Sequence, residues 1–304
     1  MLLVRLIYFL IQVTIISFIH NIMKKLSNFN VGFIKRVSAK TPTRLRYIKQ
    51  FNMDPSEFVV DYEISSHINL IEPTLFCGFF KKPCVVLTGR YAPDKFIYLD
   101  KLSSNIVVAR LKTPKEQEAG TIFVSKGVGI IILHIKPDMI SSAKAKKVIL
   151  ATIIRTLRSY GMPIEKRVNP HNHNTNDLVI KTKDGDKKFC GICPISQGKW
   201  MSYGLPITFE MDYEEMRRIF KLNTTKMKEK GEVKDIKEVV VGLDEIKKVD
   251  RNLFFDDFAK NLAERLSLEL MVSDYSDKER EVLKKMLPIV ASEDWVYKAK
   301  RKDL

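Results

Sequence analysis

The residues most suggestive of chemistry lie in DLVIKTKDGDKKFCGICP, positions 177–194, where two lysines, a glycine and a CxxC pair follow a turn. Two alternating apolar runs flank Asp184-Gly185, a dipeptide that favours tight hairpin turns. Strict alternation along the second strand puts Lys188, Cys190 and Ile192 on one face and Lys187, Phe189 and Gly191 on the other. Lys187, nearer the turn, then reads as a solvated tip. Lys188, one residue further along, reads as a strand lysine that could be aimed at chemistry. Asp177 opens the partner strand across from it. The thiols offer a rival chemistry, because Cys190 and Cys193 have CxxC spacing and Cys77 and Cys84 supply two more sulfurs. A strand sends Cys190 and Cys193 to opposite faces, and six residues separate Cys77 from Cys84, so buried structural thiols are expected. His171 and His173 fall in the polar loop NPHNHNTND and read as an exposed pair.

The elements that must position Lys188 follow from hydrophobic periodicity. Residues 83–90 (PCVVLTGR), 105–111, 120–125 and 128–135 read as strands, and VGIIILHI at 128–135, apolar on both faces, as a central one. Ser141 and Ser142 open a helix over 141–161 that stops at Gly161. DLVIKT, KKFCGICPI and GLPITFEMD read as three further strands. From 211 the pattern turns helical, in DYEEMRRIFKL, VGLDEIKKV, FFDDFAKNLAERLSLEL and SDKEREVLKKML. Residues 29–56 read as an irregular basic segment followed by a short helix. The fold class is α+β, a mostly antiparallel sheet with packed helices, followed by a small helical C-terminal part.

Composition narrows the partners. Of the 304 residues, 52 are Lys or Arg and 36 Asp or Glu, a net charge of +16 that favours an anionic substrate or an acidic protein. The charge is spread along helices and tails without interleaved aromatics, so nucleic acid is not an expected partner. Four unevenly placed cysteines make no disulfide framework and fit a reducing, cytoplasmic interior. Residues 2–22 are almost continuously apolar and read three ways: a membrane anchor, a cleaved signal peptide, or an extension ahead of an initiation point at Met23. Any membrane contact is expected through that segment alone.

The order of the motifs resembles the catalytic domain shared by lipoate- and biotin-protein ligases, the lipoate branch most closely. Leu87-Thr88-Gly89-Arg90 looks like the family's hydrophobic-x-Gly-Arg step, and VARLKTPKEQEAGTIFVSKGVGIIIL occupies the place of its substrate loop and strand pair. Asn176-Asp177-Leu178-Val179-Ile180 and Lys188-Phe189-Cys190-Gly191 match its Asn-Asp strand and Lys-x-x-Gly step, and SEDWVY at 292–297 its C-terminal signature. The resemblance implies ATP-dependent adenylation of lipoate or a related acid and transfer to a lysine of a lipoyl domain or a glycine-cleavage H-like protein. It implies Lys188 as the catalytic residue, with Asn176, Asp177, Gly120, Gly127, Gly191, Arg110 and Arg90 binding substrate or nucleotide, and Asp177 assisting Mg2+. It divides the chain into an apolar segment (1–22), a catalytic domain (23–210) and an accessory domain (211–304). The loop departs from the pattern: only Gly120 remains of a glycine run, and Glu116 and Glu118 stand beside it. That departure carries the alternative, a non-catalytic or altered-substrate member that binds a nucleotide, an acyl group or a partner subunit. The loop 169–177 contains no cysteine, which argues against an acyl-enzyme route.

Overall fold

A computed structural model describes residues 44–88, 94, 96–111, 121–124, 127–166, 177–221 and 235–297. The apolar segment 2–22 lies outside them. The basic stretch expected to be irregular is instead a strand from Arg44, β1 (Arg44–Met53), with Leu45, Tyr47 and Ile48 buried, Arg44 and Lys49 exposed, and Arg46 half-buried. Helix α1 (Pro55–His67) starts at a capping box, in which Asp54 accepts from the Ser56 N–H (2.9 Å) and Glu57 accepts from the Asp54 N–H (2.9 Å). It leads into β2 (Thr74–Phe80), parallel to β1. Strands β3 (Cys84–Thr88), β4 (Val107–Leu111) and β5 (Thr121–Val124) form a separate small sheet in the order β4-β3-β5. The chain continues through β6 (Val128–Ile135), α2 (Ser142–Ser159), β7 (Ile164–Lys166), β8 (Asp177–Thr182), β9 (Gly185–Gly191), β10 (Cys193–Gln197), β11 (Trp200–Thr208) and α3 (Tyr213–Ile219). It ends with α4 (Arg251–Leu266), β12 (Glu269–Val272), α5 (Asp277–Val290) and α6 (Glu293–Tyr297).

The large sheet has the order β12-β1-β2-β6-β11-β9-β8-β7, with β10 paired to β11, and is antiparallel except where β1 meets β12 and β2. This is the α+β architecture expected from the sequence. All eight residues of β6 are buried, as a central strand requires. Two helical expectations are corrected. The helix expected over 254–270 stops at Leu266, because Ser267 adopts the left-handed conformation (φ 56°), and Glu269–Val272 then pair with β1. VGLDEIKKV contains only a 3-10 turn at Leu243–Glu245.

Two layers cover the sheet. On one face α2 supplies Ile149, Ile153 and Leu157, and α4 supplies Phe254, Phe255 and Phe258, to a core shared with Ile131 and Leu133 of β6. On the other face Phe58 and Val59 of α1 pack with Met286 and Val290 of α5 and Trp295 of α6. Phe209, just after β11, and Phe254 of α4 stack edge-on at 5.6 Å in the core shared by α2 and α4. Among the described residues no helix is long and apolar enough to cross a membrane.

A buried polar network links β6, α1 and the C-terminal segment. His134 has Nδ1 2.8 Å from Ser202 Oγ and Nε2 2.8 Å from the Asp61 carbonyl oxygen, and Tyr275 donates to Asp61 Oδ1 (2.7 Å). Burial pushes the His134 pKa down to about 4 from 6.5, and burial holds the Asp61 carboxyl well above the usual carboxylate range. These act oppositely on stability. The unfolded chain protonates His134 near pH 6.5 and the fold only near 4, so its contribution is lost as pH falls through that window. Asp61 takes up its proton first in the fold, so its contribution is complete in acid and is lost as pH rises. Asp61→Asn removes the opposing group. Its stability is expected to fall by about 3 kcal/mol between pH 7 and pH 4, at about 1.4 kcal/mol per pH unit, more steeply than in the parent protein. Urea unfolding at both pH values checks this, and identical pH dependence in the two proteins contradicts it.

Candidate functional site

Strands β8 and β9 bring Asp177, Lys188 and Gly191 together. The hairpin turns at Gly185, whose φ of +107° suits glycine, and the ladder closes with Asp177 opposite Gly191. Lys188 Nζ lies 2.6 Å from Asp177 Oδ1, with the two side chains 34% and 23% exposed, so a ligand can reach an ion pair that is largely sheltered from water. The strict alternation expected along β9 does not hold. Leu178 pairs with Cys190 but Val179 pairs with Lys188, which leaves Phe189 as the extra residue of a bulge. Phe189 and Cys190 therefore both enter the core, and the Lys188 side chain folds over Gly191 instead of facing away from it. Lys187, expected as the solvated tip, is 16% exposed and pairs with Asp184 at 3.7 Å.

The glycine makes this arrangement possible. A Cβ at Gly191 would sit 2.9 Å from Lys188 Nζ, 3.1 Å from its Cε and 3.4 Å from Asp177 Oδ1. Gly191→Ala is therefore expected to push the ammonium off Asp177 with little change in melting temperature, since the flexible end of a lysine can give way. The expected loss is about tenfold in any turnover that depends on Lys188, read from steady-state kinetics beside a thermal melt. Unchanged turnover in the folded variant contradicts it.

The other expected residues have different surroundings. A Cβ at Gly127 would meet Glu210 Cβ at 2.3 Å, and the Gly127 carbonyl accepts from the N–H groups of Phe209 (2.8 Å) and Glu210 (3.0 Å), so this glycine admits the end of β11. Arg110 is buried in β4; its Nε donates to the Val296 carbonyl, and Trp295 Nε1 donates to the Arg110 carbonyl (3.0 Å). Arg110 thus ties β4 to α6, the helix that contains the end of SEDWVY. Arg90, Gly120, Asn176, His171, His173 and the loop residues 112–120, with Glu116 and Glu118, lie outside the described residues. Cys77, Cys84 and Cys190 are buried, and burial raises all three thiols. Among the described residues no cluster of three or more His, Cys, Asp or Glu can hold a metal ion.

One contact had no signal in the sequence. The Lys188 N–H donates to the Val239 carbonyl (2.8 Å), and the Val241 N–H donates to the Lys188 carbonyl (3.0 Å), a parallel bridge centred on Val240. Helical periodicity over 241–249 pointed away from it.

The chain belongs to the lipoyl protein ligase A/B catalytic domain family, whose model matches residues 57–267. Its fold is similar to a structure from the analysis of an archaeal lipoylation system, a bipartite lipoate protein ligase and its E2 lipoyl domain from Thermoplasma acidophilum (TM-score 0.70, 15% identity, 86% of this chain and 99% of that one). It is also similar to lipoate-protein ligase A bound with ATP (TM-score 0.67, 13% identity, 85% and 100% covered). A third similar structure is P. falciparum LipL1 in complex with lipoate (TM-score 0.60, 13% identity, 86% and 76% covered). No curated protein matches the sequence.

Proposed function

We propose that the protein is a lipoate-protein ligase, which activates lipoate or a related acid with ATP and passes the acyl group to a lysine of an acceptor domain. The observation that carries this reading is the Lys188–Asp177 pair over Gly191, on the two strands where the family motif falls. In the first step a carboxylate oxygen of the acid attacks the α-phosphorus of ATP, and pyrophosphate leaves. Negative charge gathers on the phosphate oxygens as the bond forms. An ammonium fixed beside them lowers that barrier without having to reorganise. Asp177 holds Nζ in place while the site awaits substrate, and the arriving phosphate and acyl oxygens compete for the same ammonium. In the second step the acceptor amine attacks the acyl carbonyl, AMP leaves, and Lys188 can stabilise the leaving phosphate charge.

Asp177 belongs to this reading as the carboxylate that would help to hold Mg2+. One protein carboxylate with nucleotide phosphates and water suits that ion, whose bound form would neutralise phosphate charge. Arg90, Gly120, Asn176, Arg110 and Gly127 belong to this reading as substrate- or nucleotide-binding positions. The region 211–304 belongs to it as the part that closes over the adenylate. Two features support an acidic lipoyl domain as the acceptor: the net charge of +16 and the likeness to a ligase studied with its E2 lipoyl domain. The four free cysteines fit the cytoplasm as its place of action. Incubating the protein with ATP, Mg2+, lipoate and a lipoyl domain, then weighing the domain by intact mass spectrometry, tests the proposal. A lipoyl adduct on one lysine is the expected result. An unmodified domain, with a control ligase active in the same mixture, overturns the reading.

A further inference from the structure

We propose that residues 239–242 are a positioning clamp for Lys188, with Gly242 setting where the clamp lies; this rests on the reading of Lys188 as the group that meets the substrate. Lys188 sits at the bulge, and its own N–H and C=O bond to Val239 and Val241. Among the described residues β11 pairs with β9 only at Ile207↔Cys190, so 239–241 is the segment that satisfies the Lys188 backbone. A lysine whose main chain is held at both polar groups keeps its Cα fixed while its side chain changes partners.

The clamp is itself wedged against the end of β11. The Asp244 N–H donates to the Phe209 carbonyl (2.9 Å), and Glu245 Oε1 accepts from both the Gly242 N–H (2.8 Å) and the Tyr213 hydroxyl (2.5 Å). A Cβ at Gly242 would lie 2.6 Å from the Phe209 carbonyl oxygen and 3.2 Å from Glu210 Cα. Those are backbone atoms, and Glu210 is itself pressed on Gly127, so they have little room to yield. Gly242 has φ −84° and ψ 142°, which any residue adopts. Alanine there is opposed by space alone, and the segment must lift away from β11, drawing Val239 O and Val241 N–H off Lys188. The consequence falls on orientation. The groups that bind ATP and the acid keep their places, while the ammonium loses its fixed approach to the developing charge.

Gly242→Ala, tested in acid-dependent exchange between ATP and pyrophosphate, is expected to lower kcat about tenfold with KM for ATP and for the acid changed less than about twofold. Amide hydrogen exchange at Lys188 and Val241 is expected to speed up by about tenfold or more while the β8 amides keep their protection. If Gly242→Ala does not fold, Glu245→Ala loosens the same segment from the side-chain end. Glu245→Gln, which keeps an acceptor oxygen, is then expected to restore kcat. Faster amide exchange with an unchanged kcat shows a purely structural contact and overturns the proposal, as do unchanged amide rates in both loosened variants. If the parent protein shows no acid-dependent exchange at all, the ligase reading fails and the catalytic half of the proposal with it. The amide rates then still decide whether 239–242 holds Lys188.

Discussion

Lys188→Ala is expected to reduce acid-dependent exchange between ATP and pyrophosphate by about 10²- to 10³-fold, the range found when one preorganised donor is removed from a charge-stabilising site. The side chain is 34% exposed and, among the described residues, forms an ion pair with Asp177, so the fold should tolerate its loss with a change of under about 0.5 kcal/mol. Lys188→Arg is expected to rescue little. A planar guanidinium is larger than the ammonium that lies over Gly191, and its hydrogen bonds are fixed in a fork. Exchange kinetics beside a thermal melt check both variants. A folded Lys188→Ala protein with parental activity would place the chemistry elsewhere.

The second large effect is on stability. Arg46 of β1 grips Glu279 of α5 with two hydrogen bonds, 2.7 Å to Oε1 and 3.0 Å to Oε2, and the Glu279 side chain is 1% exposed. Glu279 Oε2 also accepts from the Ser276 N–H (2.6 Å) and hydroxyl (2.8 Å), closing the capping box of α5. Burial works against the charge on Glu279, but the Arg46 and Ser276 hydrogen bonds outweigh it and hold its pKa below the ordinary value. Arg46→Ala strands that carboxylate and is expected to cost about 3–5 kcal/mol, with the melting temperature falling by roughly 10 °C. The sign with pH follows. Glu279 contributes its stability above the unfolded carboxylate value and loses it as pH falls through the lower folded one, so the deficit of Arg46→Ala should shrink in acid. Melts at pH 7 and pH 4 measure this, and a deficit below about 1 kcal/mol at pH 7 would show that the pair is merely superficial.

Much of the scaffold was readable because its signals are local. The doubly apolar VGIIILHI could only be a central strand, and the 141–161 periodicity could only be an amphipathic helix. The Asp184-Gly185 turn fixed the hairpin that carries Lys188 and Asp177. β1 was hidden because Arg44, Arg46 and Lys49 lower its apparent hydrophobicity, although Arg46 is there to meet Glu279, some 230 residues later. β12 was absorbed into a helical pattern because nothing in the sequence marks Ser267 for the left-handed conformation. At the site, the placement of Asp177 on the strand partnering that of Lys188 was legible from the hairpin pattern, but their ion pair was not. The bulge at Phe189 was not, since one extra residue reverses a two-residue alternation without changing composition. Nor was the bridge from 239–241, a contact that depends on how two distant segments meet at the end of β11.

Acid-dependent exchange of pyrophosphate into ATP by the purified parent protein, measured across a panel of carboxylic acids, tests the central claim most directly. The expected result is exchange that requires an acid, is strongest with lipoate or an acid of similar chain length, and disappears in Lys188→Ala. Well-folded protein that exchanges no pyrophosphate with any acid in the panel would contradict it.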